Sequence, residues 1–109
     1  MKRSRFIARL YRCGSETEAR ETLHAVKTEY RNASHWVHAY ALGEILRCSD
    51  NGEPPGTAGL PVLNALRSAK LDGVVCVVTR WFGGTKLGVD GLRAAYRAAA
   101  LAVIELANS

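Results

Sequence analysis

Apolar residues change their spacing several times along the chain, and each change marks a new element. Over Arg5–Arg12, Phe6, Ala8 and Leu10 alternate with Arg5, Ile7, Arg9 and Tyr11, which predicts a strand with one more polar face. Ser15 followed by Glu18 reads as a capping box, and Glu16 adds a second acid to the positive end of a helix. Ala19, Leu23, Val26 and Tyr30 then recur at helical spacing and form its expected buried stripe. The loop Asn32-Ala33-Ser34 leads into a second strand, His35–Leu42. Trp36, His38 and Tyr40 share one of its faces, while Val37, Ala39 and Ala41 share the other. Gly43-Glu44 turns the chain into a third strand, Ile45–Ser49, so a hairpin is expected.

Two prolines and two glycines forbid regular structure over 50–56. A second helix is expected to start between Thr57 and Leu60. Pro61 then falls in the first turn, where a missing N–H does no harm. Leu63, Leu66 and Ala69 or Lys70 continue this helix, and Leu71-Asp72-Gly73 ends it. Residues 74–79 are almost wholly apolar and β-branched, which suits a strand covered on both faces or placed centrally in a sheet. After a loop at 82–87, a last helix runs from Gly88 to Ala107, with Leu92, Tyr96, Ala99, Val103 and Leu106 toward the core. The order β-α-β-β-α-β-α predicts an α/β (α+β) domain with a mixed four-stranded sheet and helices on one face.

A chain of 109 residues fits a single domain over 1–109. Its apolar fraction of 48% and charged fraction of 23% are those of an ordinary globular protein. No apolar run is long enough to span a bilayer. Arg9 and Arg12 interrupt the stretch after the basic start, so no signal peptide, no membrane partner and a cytoplasmic location are expected. Cys13, Cys48 and Cys76 share no CxxC spacing, which argues against a disulfide framework and against zinc; no metal or cofactor is expected. Lys2, Arg3, Arg5, Arg9 and Arg12 precede every acidic residue and account for the whole net charge of +5. Such a basic end suits RNA or a ribosome, or else a strand whose charges meet acids elsewhere in the fold.

Two glycine-rich segments carry the candidate chemistry. They are Asp50-Asn51-Gly52-Glu53-Pro54-Pro55-Gly56-Thr57-Ala58-Gly59 and Thr79-Arg80-Trp81-Phe82-Gly83-Gly84-Thr85-Lys86-Leu87-Gly88. Each lies between a strand and a helix, where exposed N–H groups attract anions. These segments, with Ser4-Arg5-Phe6-Ile7-Ala8, the His35 to Tyr40 stretch, Pro61-Val62-Leu63, Gly91-Leu92 and Ala95-Tyr96, resemble the conserved domain of the YigZ/IMPACT family. The resemblance implies a fold like the second domain of ribosomal protein five of the small subunit. It also implies a link to the regulation of translation, with nucleic acid as a partner and no established reaction. Bacterial relatives append a ferredoxin-like domain and eukaryotic ones another domain; neither is expected here. Where the family commonly has a second Asp this chain has Asn51, and Asp90 stands at a usual Gly.

The residues themselves admit several roles. Arg80 pairs with Asp50 or Glu53 and pins the two loops, or it faces an anion together with Lys86. Gly56, Gly83, Gly84 and Thr57 would add donors to that anion or RNA site, and Arg5 and Arg9 would contact RNA phosphates. Thr57 also suits an N-cap, and the glycines a tight turn. Asp50 and Glu53 read as loop-orienting carboxylates, with Glu53 a cap for the second helix; a metal or acid–base pair is the lesser reading. His35 and Trp81 are neighbours of this site, and Phe82 is expected in the core. A non-enzymatic binding module is therefore the leading function. The alternatives are a phosphate-ligand protein or enzyme using both loops, and a protein-interaction or homodimer domain using Trp36, His38 and Tyr40.

Overall fold

A computed structural model of the chain describes residues 4–84 and 86–108; Lys2, Arg3 and Thr85, named above, lie outside them. The elements are β1 (Arg5–Arg12), α1 (Glu16–Glu29), β2 (His35–Leu42), β3 (Ile45–Ser49), α2 (Gly59–Ser68), β4 (Val74–Trp81) and α3 (Gly88–Ala107). Their order is the predicted one. The sheet runs β1-β4-β2-β3, and every neighbouring pair is antiparallel, so it is not mixed. The cause is topological. The first helix joins two parallel strands, β1 and β2, but β4 inserts between them and pairs antiparallel with both.

The helices occupy both faces of the sheet, not one. Val75 and Val77 of β4 point to a cluster with Ala19 and Val26 of α1 and Tyr40 of β2. Cys76 and Val78 point the other way, into the larger core of Val62, Leu63 and Leu66 from α2 and Leu92, Tyr96 and Ile104 from α3. A central strand apolar on both faces needs both covers, and β4 is buried from Val74 through Arg80. The Trp36, His38 and Tyr40 face therefore lies beneath α1; Trp36 packs on that cluster and Tyr40 is buried within it. In α3 the buried stripe is Leu92, Tyr96, Ala100 and Ile104, at a strict four-residue interval, and Leu106 lies outside it at 75% exposure.

The α1 cap forms as predicted at its first half: Ser15 Oγ accepts from the Glu18 N–H at 3.1 Å. Glu18 reaches one residue further back than the usual box and accepts from Gly14 N–H at 2.8 Å. α2 has no such local cap. Ala58 is its N-cap residue, and no side chain adjacent in sequence closes it.

Candidate functional site

The register of the sheet builds the site. Arg80 on β4 lies between Phe6 on β1 and His35 on β2, and all three share the α2/α3 face. Alternation therefore sends a guanidinium toward the core at the end of a strand that is otherwise apolar. Arg80 is only 4% exposed. Its Nη1 donates to both carboxylate oxygens of Glu53, at 2.9 and 2.7 Å. Nε and Nη2 donate to Ser4 Oγ at 3.0 and 2.8 Å. The phenyl rings of Phe6 and Phe82 each lie 5.7 Å from the guanidinium carbon. A buried cation needs this saturation, because an unpaired one would be far too costly to desolvate.

Glu53 is equally spent. Its Oε2 also accepts from the Tyr96 hydroxyl of α3, and His35 Nε2 stands 3.5 Å from Oε1. Burial, followed by the hydrogen bond to Glu53, pushes the Tyr96 phenol above its ordinary range, so the ring serves as a donor. His35 Nδ1 lies 2.8 Å from the Asn51 carbonyl, which only accepts. Nδ1 therefore carries a proton and donates to that carbonyl. Of the two carboxylates weighed for Arg80, the one in contact is Glu53, and it does not cap α2.

That cap is Asp50, across the loop. Its Oδ1 accepts from Ala58 and Gly59 N–H at 3.1 and 2.9 Å, and Oδ2 from Gly56 N–H at 3.0 Å. Burial alone would raise the Asp50 pKa. The three N–H groups outweigh it and hold the carboxyl below its ordinary range. The α2 terminus thus already holds an anion, belonging to the chain itself. Gly56 N–H is taken, and Thr57 is 1% exposed, its hydroxyl and N–H both donating to Pro54 O. Neither faces an external anion. Gly59 is required by proximity: a Cβ there would stand 2.8–2.9 Å from the backbone of Ser49. Asn51, at φ +46°, uses its side-chain oxygen to accept from Trp36 N–H at 2.9 Å.

The other candidates divide between two faces. Arg9 is held by α1: it makes two bonds to Glu29, at 2.7 and 2.8 Å, donates to the Tyr30 hydroxyl and lies over that ring. It is an internal clamp, not an open phosphate ligand. Arg5 is exposed, its guanidinium carbon 5.0 Å from the centre of the Trp81 ring. Trp81 is half-buried on the α1 face, against Tyr30 and Asn32, away from Arg80. Phe82 is not in the core; it is 53% exposed, with its N–H fixed by Ser34 Oγ at 2.9 Å. Gly84 takes a positive φ of 87° and Gly83 does not.

The two loops do converge. His35, Glu53, Pro54, Arg80, Phe82, Lys86, Leu87, Gly88, Val89 and Leu92 enclose a cavity of about 380 Å³. Larger depressions of about 710 and 670 Å³ lie at the other end of the sheet, around Cys13, Gly14, Asp72 and Gly73. Volume alone would favour those. Tyr11 lines the first of these, but neither holds the buried ion pair, so the smaller cavity is the candidate site. Among the described residues, no three His, Cys, Asp or Glu side chains group as a metal site. Sequence reasoning missed Tyr96 and Ser4 as partners of the buried pair. A tyrosine on an apolar helix stripe was the available signal, since its hydroxyl needs an acceptor.

Comparison with known proteins gives a consistent family. The family model for the Impact N-terminal domain matches residues 2–104. The chain is 46% identical over 99 residues to the IMPACT family member YvyE of Bacillus subtilis, covering 88% of this chain and 46% of that protein. A crystal structure of a hypothetical protein superposes with a TM-score of 0.92 at 34% identity, over 96% of this chain and 53% of the other. The two-domain translational regulator Yih1 superposes at 0.57 with 26% identity, over 94% of this chain and 43% of that one. The chain thus spans about half the length of the curated relatives it matches.

Proposed function

Because this chain belongs to the Impact N-terminal domain family, we propose that it is a non-enzymatic RNA-binding module acting in the regulation of translation. One observation carries this reading. At one end of the sheet, Arg5, Trp81, Phe82 and Lys86 reach the surface, while the nearby carboxylates Asp50 and Glu53 are consumed by α2 and Arg80. Exposed cations beside aromatic rings attract phosphates and stack on bases, and the exposed acid of the first turn of α3, Asp90, stands 3.6 Å from Arg93. Among the groups suited to acid–base chemistry, Glu53 and Tyr96 are hydrogen-bonded to each other, and Glu53 also to Arg80. That exchange of bonds supports binding over catalysis. The name of the translational regulator Yih1 supports the setting.

The test is binding of a labelled single-stranded RNA by fluorescence anisotropy across 50 to 200 mM salt, with the charge-reversal variants Arg5→Glu and Lys86→Glu. Affinity is expected to fall with salt by a log–log slope of roughly 0.7 per phosphate contacted, and each variant to lower that slope by about one contact. Salt-independent binding, or none at 50 mM, overturns the proposal.

A further inference from the structure

Resting on the RNA reading above, we infer that the cavity between the two loops is a seat for one unpaired RNA base. Its volume of about 380 Å³ lies at the small end of the roughly 300–1,000 Å³ range of small-ligand sites, which suits a single ring system. Its walls are the apolar side chains of Pro54, Phe82, Leu87, Val89 and Leu92. Three of these remain open to solvent although they are large and apolar: Phe82 at 53%, Val89 at 47% and Leu87 at 37%. Folding left them uncovered around one opening, and a guest that covers them recovers apolar burial.

The polar groups of the cavity select among guests. Arg80 and Glu53 line the cavity but bond to each other and to Ser4 and Tyr96, so most of their hydrogen-bonding capacity is already used. The polar ring in the lining is the half-buried His35, whose Nδ1 is fixed on Asn51 O while Nε2 stands 3.5 Å from Glu53 Oε1. Lys86 lies exposed at the rim. Apolar walls, one hydrogen-bonding ring and one cation beyond them match a base, which has two apolar faces, a polar edge and an attached phosphate. A wholly apolar guest leaves the imidazole and the ammonium unused. Phe82 is positioned in advance, because Ser34 Oγ holds its backbone and the Arg80 guanidinium stands against its ring. A base inside a duplex cannot enter such a cavity without leaving its stack, so the seat discriminates single strands from double.

The experiment compares one RNA sequence as a single strand and as a blunt duplex, with mononucleotides as competitors, for the unaltered chain and for Phe82→Ala, Phe82→Trp and Val89→Glu. All three substitutions are at exposed positions, and thermal melts confirm folding. The single strand is expected to bind at least about tenfold more tightly than the duplex, the order of one stacked base. Phe82→Ala and Val89→Glu are expected to weaken the single strand severalfold more than the duplex, while Phe82→Trp retains the preference. Equal binding of both forms, with Phe82→Ala neutral, overturns the seat but leaves the RNA reading standing. A mononucleotide that binds as tightly as the strand also overturns it, in favour of a free nucleotide. An apolar peptide that fills the cavity while RNA does not overturns both readings, as does the absence of any RNA binding at low salt.

Discussion

Arg80 and Glu53 form a pair whose partners are worth more together than apart. Removing one member of a buried ion pair leaves a charge without compensation and typically costs about 3–5 kcal/mol. Arg80→Met alone is therefore expected to destabilise the domain by that order, and Glu53→Gln likewise. The double variant Arg80→Met/Glu53→Gln should lose far less than the sum, read as a large coupling energy in urea unfolding. Additive losses would show that the pair is not coupled. His38 supplies a separate pH dependence. Burial, with Lys27 as the smaller cause, lowers its pKa from the ordinary 6.5, and its Nδ1 has no hydrogen-bond partner among the described residues. The unfolded chain thus takes up a proton at a pH where the folded one does not. The stability this group contributes is complete above about pH 6.5 and drains away as the pH falls toward the folded value. His38→Phe is expected to flatten the loss of stability between pH 7.5 and 5.5. An unchanged slope would assign the effect to another group.

At the level of elements, α2 shows why a helix start can be hidden from local reading. Its cap comes from Asp50, eight and nine residues before the N–H groups that it accepts from. A local window instead offers Thr57, whose hydroxyl turns back to Pro54. Asp50→Ala is expected to cost about 1–2 kcal/mol, as a lost N-cap does, and to remove part of the acid sensitivity below pH 4, because a carboxyl with a lowered pKa stabilises only above its titration. Gly59→Ala should cost about 1–3 kcal/mol through overpacking on Ser49. Melting curves of both variants check this. The elements themselves were legible because periodicity is a local signal: the Ser15 cap, the hairpin at Gly43 and the doubly apolar β4 all follow from neighbours in sequence. The insertion of β4 between β1 and β2 was not legible, since strand order depends on contacts between distant segments. With it went the second helical layer, the burial of the Trp36 face and the exposure of Phe82.

Across the whole molecule, the excess positive charge divides by destination. Arg9 is absorbed by Glu29 and Tyr30, whereas Arg5 stays at the surface on Trp81. Charge counting from the sequence could not separate them, because both lie on the same face of β1. Arg9→Glu is expected to loosen α1 and lower the melting temperature, whereas Arg5→Glu should leave melting unchanged and weaken RNA binding. A reversed pattern would move the proposed surface. No described helix is long and apolar enough to cross a membrane.

Ser4, Glu53, Arg80 and Tyr96 come from four distant parts of the chain, with Arg80 bonded to partners 76 and 27 positions away and Tyr96 reaching 43 positions back to Glu53. None of these segments can let go of the knot without the others losing their partners. Amide deuterium uptake should therefore report one shared opening event for the start of β1, the 50–58 loop and the end of β4, slower than that of a free surface loop. In Glu53→Gln all three should accelerate together, so this end of the domain would loosen as a unit or not at all.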